Sequence, residues 1–167
     1  MHKKTKVLLE SRIEGLGGIY VIRTLLKQIR KECPIWRSRC HGIDHWQRVE
    51  ENGLLLAEIT GADKKIVSYF AYLHDCQRCN EFDDPQHGPR AAEFARKHRY
   101  LVDLNDEQFD LLLRACSGHT FAMPHGKAGS NTTLAACWDA DRLDIDRVGM
   151  DIDPVYLFLS FSKELAA

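Results

Sequence analysis

The stretch Asp63-Lys64-Lys65-Ile66-Val67-Ser68-Tyr69-Phe70-Ala71-Tyr72-Leu73-His74-Asp75 decides the fold class, because it is a helix with a chemically distinct end. Asp63 is a residue type that caps helices by accepting the first backbone N–H groups. Ile66, Val67, Phe70 and Leu73 then recur at three- and four-residue steps, which gathers them on one helical face. The last two residues break the apolar run. A histidine and an aspartate closing such a helix are costly to bury without partners, and a divalent cation removes that cost. A lone His–Asp dipeptide is a weak signal, since adjacent helical residues do not share a face. A locally bonded core histidine is the plain alternative for His74.

Helical punctuation continues on both sides. Upstream, Ile19 to Lys31 places apolar residues at 19, 22, 25, 26 and 29 and is stopped by Pro34. His45 to Ile59 carries Val49, Leu54, Leu55, Leu56 and Ile59 and ends at Thr60-Gly61, a common C-terminal signal. Gly53 within it costs roughly 1 kcal/mol relative to Ala, which points to close packing or a kink. Downstream, Asp84-Pro85 is a cap-and-first-turn signal for a helix reaching Arg99. Asn105 with Gln108 has the spacing of a capping box opening Phe109 to Cys116. Gly118 to Thr133, with three glycines and a proline, reads as an ordered loop over a site. Leu134 to Leu143 returns to helix, and Pro154 starts a last helix through Leu165. No sustained alternation of β-branched residues supports strands. The expected fold is all-α, a single-domain helical bundle. Residues 1–40 form an N-terminal helical extension, 41–145 the metal-binding core and 146–167 a C-terminal helix.

Composition bounds the function. With 167 residues, 44% hydrophobic, 28% charged and a formal net charge of −1, the chain suits one globular domain and offers no broad basic field for nucleic acid. Val7-Leu8-Leu9 is too short an apolar core for an export signal, and no run approaches the roughly 18 residues of a membrane span. A cytoplasmic protein is expected, and its six cysteines are then reduced thiols. Cys76-Gln77-Arg78-Cys79 lacks the second C-x-x-C of a zinc knuckle, so buried thiols placed by chance are the better reading. Gly15-Leu16-Gly17-Gly18 lacks nucleotide-loop spacing and reads as a hinge. Trp36 and Trp46 are read as helix-packing residues, and His98 and His125 as surface histidines.

Four pieces carry chemistry: His41-Gly42-Ile43-Asp44-His45-Trp46-Gln47-Arg48-Val49, Leu73-His74-Asp75, Gly118-His119-Thr120 and Trp138-Asp139-Ala140-Asp141-Arg142-Leu143-Asp144. Imidazole nitrogen with carboxylate oxygen suits iron, manganese, zinc or nickel better than a thiolate-loving ion. The order H…HD…D, with His45 opening a helix as His45-x-x-Arg48-Val49 and Asp141 standing before Arg142-Leu143, resembles the HD-domain superfamily over residues 41 to 145. That resemblance implies a helical metal-dependent phosphohydrolase with His45, His74, Asp75 and Asp141 as ligands. Asp139 and Asp144 compete with Asp141, which alone precedes Arg-Leu.

His87 and His119 extend the pattern to H…HD…H…H…D, similar to the dinuclear branches, where the HD aspartate bridges two ions. A helix cap and a loop histidine are the plain readings of these two. The implied cofactor is one or two divalent ions (Fe, Mn, Zn, Ni or Mg). Asp75 and Arg78 are the catalytic candidates. Arg78, His41, Arg142 and Lys127 are candidates for binding a small phosphate substrate such as a nucleotide, and Asp44 is a weaker one. For Arg78 the alternative is a surface arginine paired with Glu81, Asp83 or Asp84; for Arg142 it is an ion pair with Asp139 or Asp144. The runner-up function is a dinuclear-iron oxygenase acting on a small polar substrate. A non-catalytic ligand-binding domain is the third class, disfavoured by the complete ligand set.

Overall fold

The computed structural model describes residues 19–124 and 130–166, and among them the chain is all-α. Seven α-helices follow in order: α1 Ile19–Glu32, α2 Ile43–Thr60, α3 Lys64–Leu73, α4 His87–Lys97, α5 Asp106–Gly118, α6 Thr132–Arg142 and α7 Ser160–Leu165. Short 3₁₀ turns lie at Arg99–Leu101, Ile145–Val148 and Pro154–Tyr156. No helix among the described residues is long and apolar enough to cross a membrane. Gly15-Leu16-Gly17-Gly18, His125 and Lys127 lie outside the described residues.

The pivot is α3. Asp63 caps it by accepting from Lys65 N at 2.9 Å and Ile66 N at 3.1 Å. Every residue from Ile66 to Leu73 is buried, Ser68, Tyr69 and Tyr72 included. A helix covered on all faces sits in the middle of a bundle, and α3 packs against α2, α5, α6, α4 and α1. Ile66, Val67, Phe70 and Leu73 are at most 1% exposed, each stabilising the bundle by roughly 1.5–3 kcal/mol. This apolar shaft delivers the His74–Asp75 pair to the interior. Around it α2 packs on α6 and α4 on α5, completing a core that includes Trp46, Leu56, Leu112, Leu134 and Trp138.

Several local signals act as their chemistry requires. Gly61 ends α2 in the left-handed region at φ 74°, with its N–H returned to Ala57 O. Asn105 and Gln108 form the capping box of α5. Trp36 and Trp46 meet edge to face with centroids 5.5 Å apart.

Three expectations need correction. The α4 helix begins at His87, not at the Asp84-Pro85 signal. The Asp84 carboxylate is already taken by Cys79 N at 2.8 Å and by Arg90 at 2.6 Å, so it cannot serve as the cap. The single C-terminal helix from Pro154 is broken into a 3₁₀ turn and α7. The buried Asp139 carboxylate accepts the N–H groups of Phe158 and Leu159 at 2.8 Å each, drawing that backbone out of helical bonding. His98 is no surface residue: it is 4% exposed and joins the end of α4 to Glu32 of α1 across 3.1 Å.

Gly53 reports how tightly α2 and α3 meet. A Cβ there would stand 2.4 Å from Val67 Cγ1 and 3.4 Å from Ala140 Cβ. Val67 is β-branched and on a helix, so it has no free rotamer into which to withdraw. The gain of roughly 1 kcal/mol in helix propensity for Gly53→Ala is therefore outweighed by an overpacking cost of about 1–3 kcal/mol. Chemical denaturation should show Gly53→Ala to be less stable than wild type. Adding Val67→Ala should cost less in the Gly53→Ala background than alone; a stabilised single variant would contradict this packing.

Candidate metal centre

Five helix ends converge on one buried cluster. His45 lies in the first turn of α2, His74 caps the C-terminus of α3 with Asp75 next to it, His87 opens α4, His119 caps the C-terminus of α5, and Asp141 lies in the last turn of α6. Three of these ends are C-termini, whose unpaired carbonyls favour a nearby cation. The ligand atoms form two groups able to hold a metal ion, His45–His74–Asp141 and Asp75–His87–His119, each with its atoms within 4.8 Å of one another.

Asp75 joins the two groups. Its Oδ2 lies 3.8 Å from the Nε2 atoms of both His45 and His74, and its Oδ1 lies 3.1 Å from His87 Nε2 and 3.6 Å from His119 Nε2. Asp141 Oδ1 stands 3.3 Å from His45 Nε2 and 3.7 Å from His74 Nε2.

The imidazoles are already oriented. His45 donates Nδ1–H to Asp144 Oδ2 at 2.7 Å, His74 to Ala71 O at 3.0 Å, His119 to Cys116 O at 2.7 Å, and His87 to Asp84 O. Neither a carbonyl nor an ionised carboxylate can donate, so these bonds place a proton on each Nδ1, and neutral rings then turn their Nε2 lone pairs inward. They face one another: His45 and His74 Nε2 are 3.1 Å apart, and His87 and His119 Nε2 are 2.7 Å apart. Opposed lone pairs at such distances repel unless a proton or a metal ion lies between them. Asp141 Oδ1 adds the same demand, being buried without a hydrogen-bond partner. The donor set therefore fits a divalent ion, and outer partners on Nδ1 are how metal-binding histidines are generally held.

The electrostatics agree. Burial alone would raise the carboxyls of Asp75 and Asp141, yet the surrounding imidazoles hold both well below the usual carboxylate range. Burial depresses the His74 imidazole, which falls to about 3. For His45 and His119 the neighbouring carboxylates overcome burial and the shift is upward. The cluster thus holds ionised acids that call for positive charge in their midst.

The six sequence-derived ligands come together; the substrate candidates divide. His41 is buried and donates Nδ1–H to Asp75 Oδ2 at 3.0 Å. Asp44 is exposed. Arg78, four residues after His74, would share its side if the helix ran on, but it reaches the cluster by a turn. Its helix ends at Leu73, and a turn closed by Arg78 N to Asp75 O carries it back. Its Nη1 lies 3.8 Å from Asp75 Oδ1 and 3.4 Å from His87 Nδ1, while Nη2 donates to Phe82 O. Arg142 points elsewhere, donating to the carbonyls of Ala122, Tyr156 and His119, with its guanidinium over Phe158.

Two groups escaped the sequence reading. Asp144 is the outer partner of His45, clamped by Arg48. Arg147 lies with Nη2 3.5 Å from Asp141 Oδ1 and donates to Cys40 O and Asp144 O. Asp139, the other rival acid, is committed to the 158–159 backbone. The C-x-x-C is divided between a fully buried Cys76 and an exposed Cys79, and neither belongs to a candidate metal group.

No family model, curated protein or solved structure matches this chain. What stands on geometry is a helical domain with a buried His/Asp cluster that can hold metal and is compatible with an HD-type site. Because there are two donor groups and Asp75 of the second also lies 3.8 Å from His45 and His74 of the first, wild-type protein equilibrated with excess Mn(II) should retain about two equivalents, His87→Ala about one and Asp75→Ala nearly none. Elemental analysis after desalting reads this directly. One equivalent in both wild type and His87→Ala would leave His87 and His119 as substrate-binding or structural groups.

Proposed function

We propose that the chain is an HD-type metal-dependent phosphohydrolase, cleaving a phosphoester or phosphoanhydride bond in a nucleotide or other small phosphate compound. One observation carries this reading: the buried Asp75 carboxylate turns one oxygen to each of two histidine pairs. That is the arrangement of donors a dinuclear centre requires. When bound, divalent ions supply Lewis acidity, making water a better nucleophile near neutral pH and offsetting charge that grows on phosphoryl oxygens.

The chain's own residues supply the rest. His41 holds Asp75 Oδ2 through Nδ1–H and keeps Nε2 as its atom for exchanging a proton with water or substrate. Arg78 keeps Nη1 at the Asp75–His87 edge, where a guanidinium can meet a substrate oxygen through charge-assisted hydrogen bonds. Its bonds to Phe82 O and Asn80 O hold it there. Glu81, Asp83 and Asp84 do not claim it; Asp84 pairs with Arg90 instead. Arg147 steadies Asp141 and, through Cys40 O, the backbone entering His41.

Arg78→Ala should keep its metals and lose catalytic efficiency on phosphate substrates by a factor on the order of 100, equivalent to roughly 2.7 kcal/mol. Arg78→Lys, which keeps the charge but not the fork, should recover part of that loss. The assay compares phosphate release from nucleotides and sugar phosphates with oxygen uptake by the reduced iron form. Phosphate release without oxygen uptake supports the hydrolase. Substrate-triggered oxygen uptake with no phosphate release overturns it in favour of a dinuclear-iron oxygenase.

A further inference from the structure

The four cluster histidines are not held alike. Those at 74, 87 and 119 give their Nδ1–H to backbone carbonyls, whereas His45 gives its own to a carboxylate, Asp144 Oδ2, at 2.7 Å. Asp144 is 6% exposed and gripped by Arg48, with Nε on Oδ1 at 2.6 Å and Nη2 on Oδ2 at 3.0 Å. An ionised acceptor makes a stronger bond than a carbonyl and raises the electron density that the ring offers at Nε2.

The donor sets are unequal as well. The His45 side has two imidazoles, Asp75 Oδ2 and Asp141 Oδ1, an oxygen that accepts no hydrogen bond. The His87 side has two imidazoles and Asp75 Oδ1, with the Arg78 guanidinium 3.8 Å from that oxygen. Arg147 stands at a similar distance on the His45 side, 3.5 Å from Asp141 Oδ1, so the guanidiniums offset one another and the difference lies in the extra carboxylate of the first group and in the partner of His45.

Building on the dinuclear reading, we propose that Asp144, clamped by Arg48, is a positioning residue for His45. It makes the His45–His74–Asp141 group the tight metal site, filled before the Asp75–His87–His119 group. Asp144 does not itself ligate: Arg48 and His45 occupy its oxygens, and its effect reaches the ion through the ring.

The test is titration of the metal-free protein with Mn(II) at fixed pH, with free Mn(II) counted by paramagnetic resonance. Wild type should show a tight and a weak class. Asp144→Asn should weaken the tight class by about 10- to 100-fold and leave the weak one essentially unchanged. Asp146→Asn, which removes an exposed acid in the field of Arg48, should change neither. With Co(II), Asp144→Asn should alter the visible spectrum of the first equivalent and not the increment of the second. His87→Ala, which leaves Asp144 in place, should keep the tight class and lose the weak one, so the assignment stands testable even if Asp144→Asn fails to fold. An unchanged tight class in Asp144→Asn, equal weakening of both classes, or loss of the tight class in His87→Ala would overturn the inference. A wild type that binds no Mn(II) overturns the metal reading itself, and this inference with it.

Discussion

A carboxylate that is 2% exposed, with histidines on both of its oxygens, sets the terms for the rest of the molecule. Burying a charge costs several kcal/mol unless it is closely compensated. Asp75 is compensated from five directions: His41, His45 and His74 around Oδ2, and His87 and His119 around Oδ1. Yet four of the five rings give their Nδ1–H outward, so a neutral ring at any of these positions offers Asp75 no proton. The arrangement calls for positive charge between the Nε2 atoms, and a divalent ion on each side would supply it.

The fold serves that constraint by bringing helix ends, not helix faces, to one point. The apolar shaft of α3 carries Asp75 inward, and close contacts bring the other ends to it. Gly53 allows α2 to lie against Val67 of α3. At Gly88 a Cβ would stand 2.6 Å from Cys116 O, the carbonyl that orients His119. The approach of His87 to His119 therefore depends on a missing side chain. Around this rigid frame, Arg142 ties the carbonyls of His119 and Ala122 to that of Tyr156, so a residue adjacent to a ligand works as a brace.

The helices were legible in the sequence wherever apolar spacing and caps agreed, as for α3, with Asp63, and α5, with Asn105 and Gln108. Residue identity and order were enough to name the six residues that cluster, since few side chains can bind a cation and these stand at helix ends. What escaped depends on the chain returning from afar. Asp144 meets His45 across 99 residues, and no local pattern distinguishes it from a competing ligand. Arg142 is adjacent to Asp141 in sequence, but neighbours on a helix diverge, while the 3₁₀ turn at Ile145–Val148 folds Arg147, which the sequence did not single out, back to it. The break before α7 and the late start of α4 both follow from committed carboxylates: Asp139 bonds the backbone of Phe158 and Leu159, and Asp84 is held by Cys79 N and Arg90. The proposed hydrolytic chemistry rests on the resemblance and on the cations beside Asp75, and the donor geometry supports a dinuclear site without choosing its substrate.

The account turns on Asp75 being shared, and anomalous diffraction from crystals grown with Mn(II) tests that most directly. It predicts two anomalous peaks, one touching Asp75 Oδ2 together with His45, His74 and Asp141, the other touching Asp75 Oδ1 together with His87 and His119. A single peak whose ligands leave either oxygen of Asp75 uncoordinated, or two peaks that do not share Asp75, would contradict it.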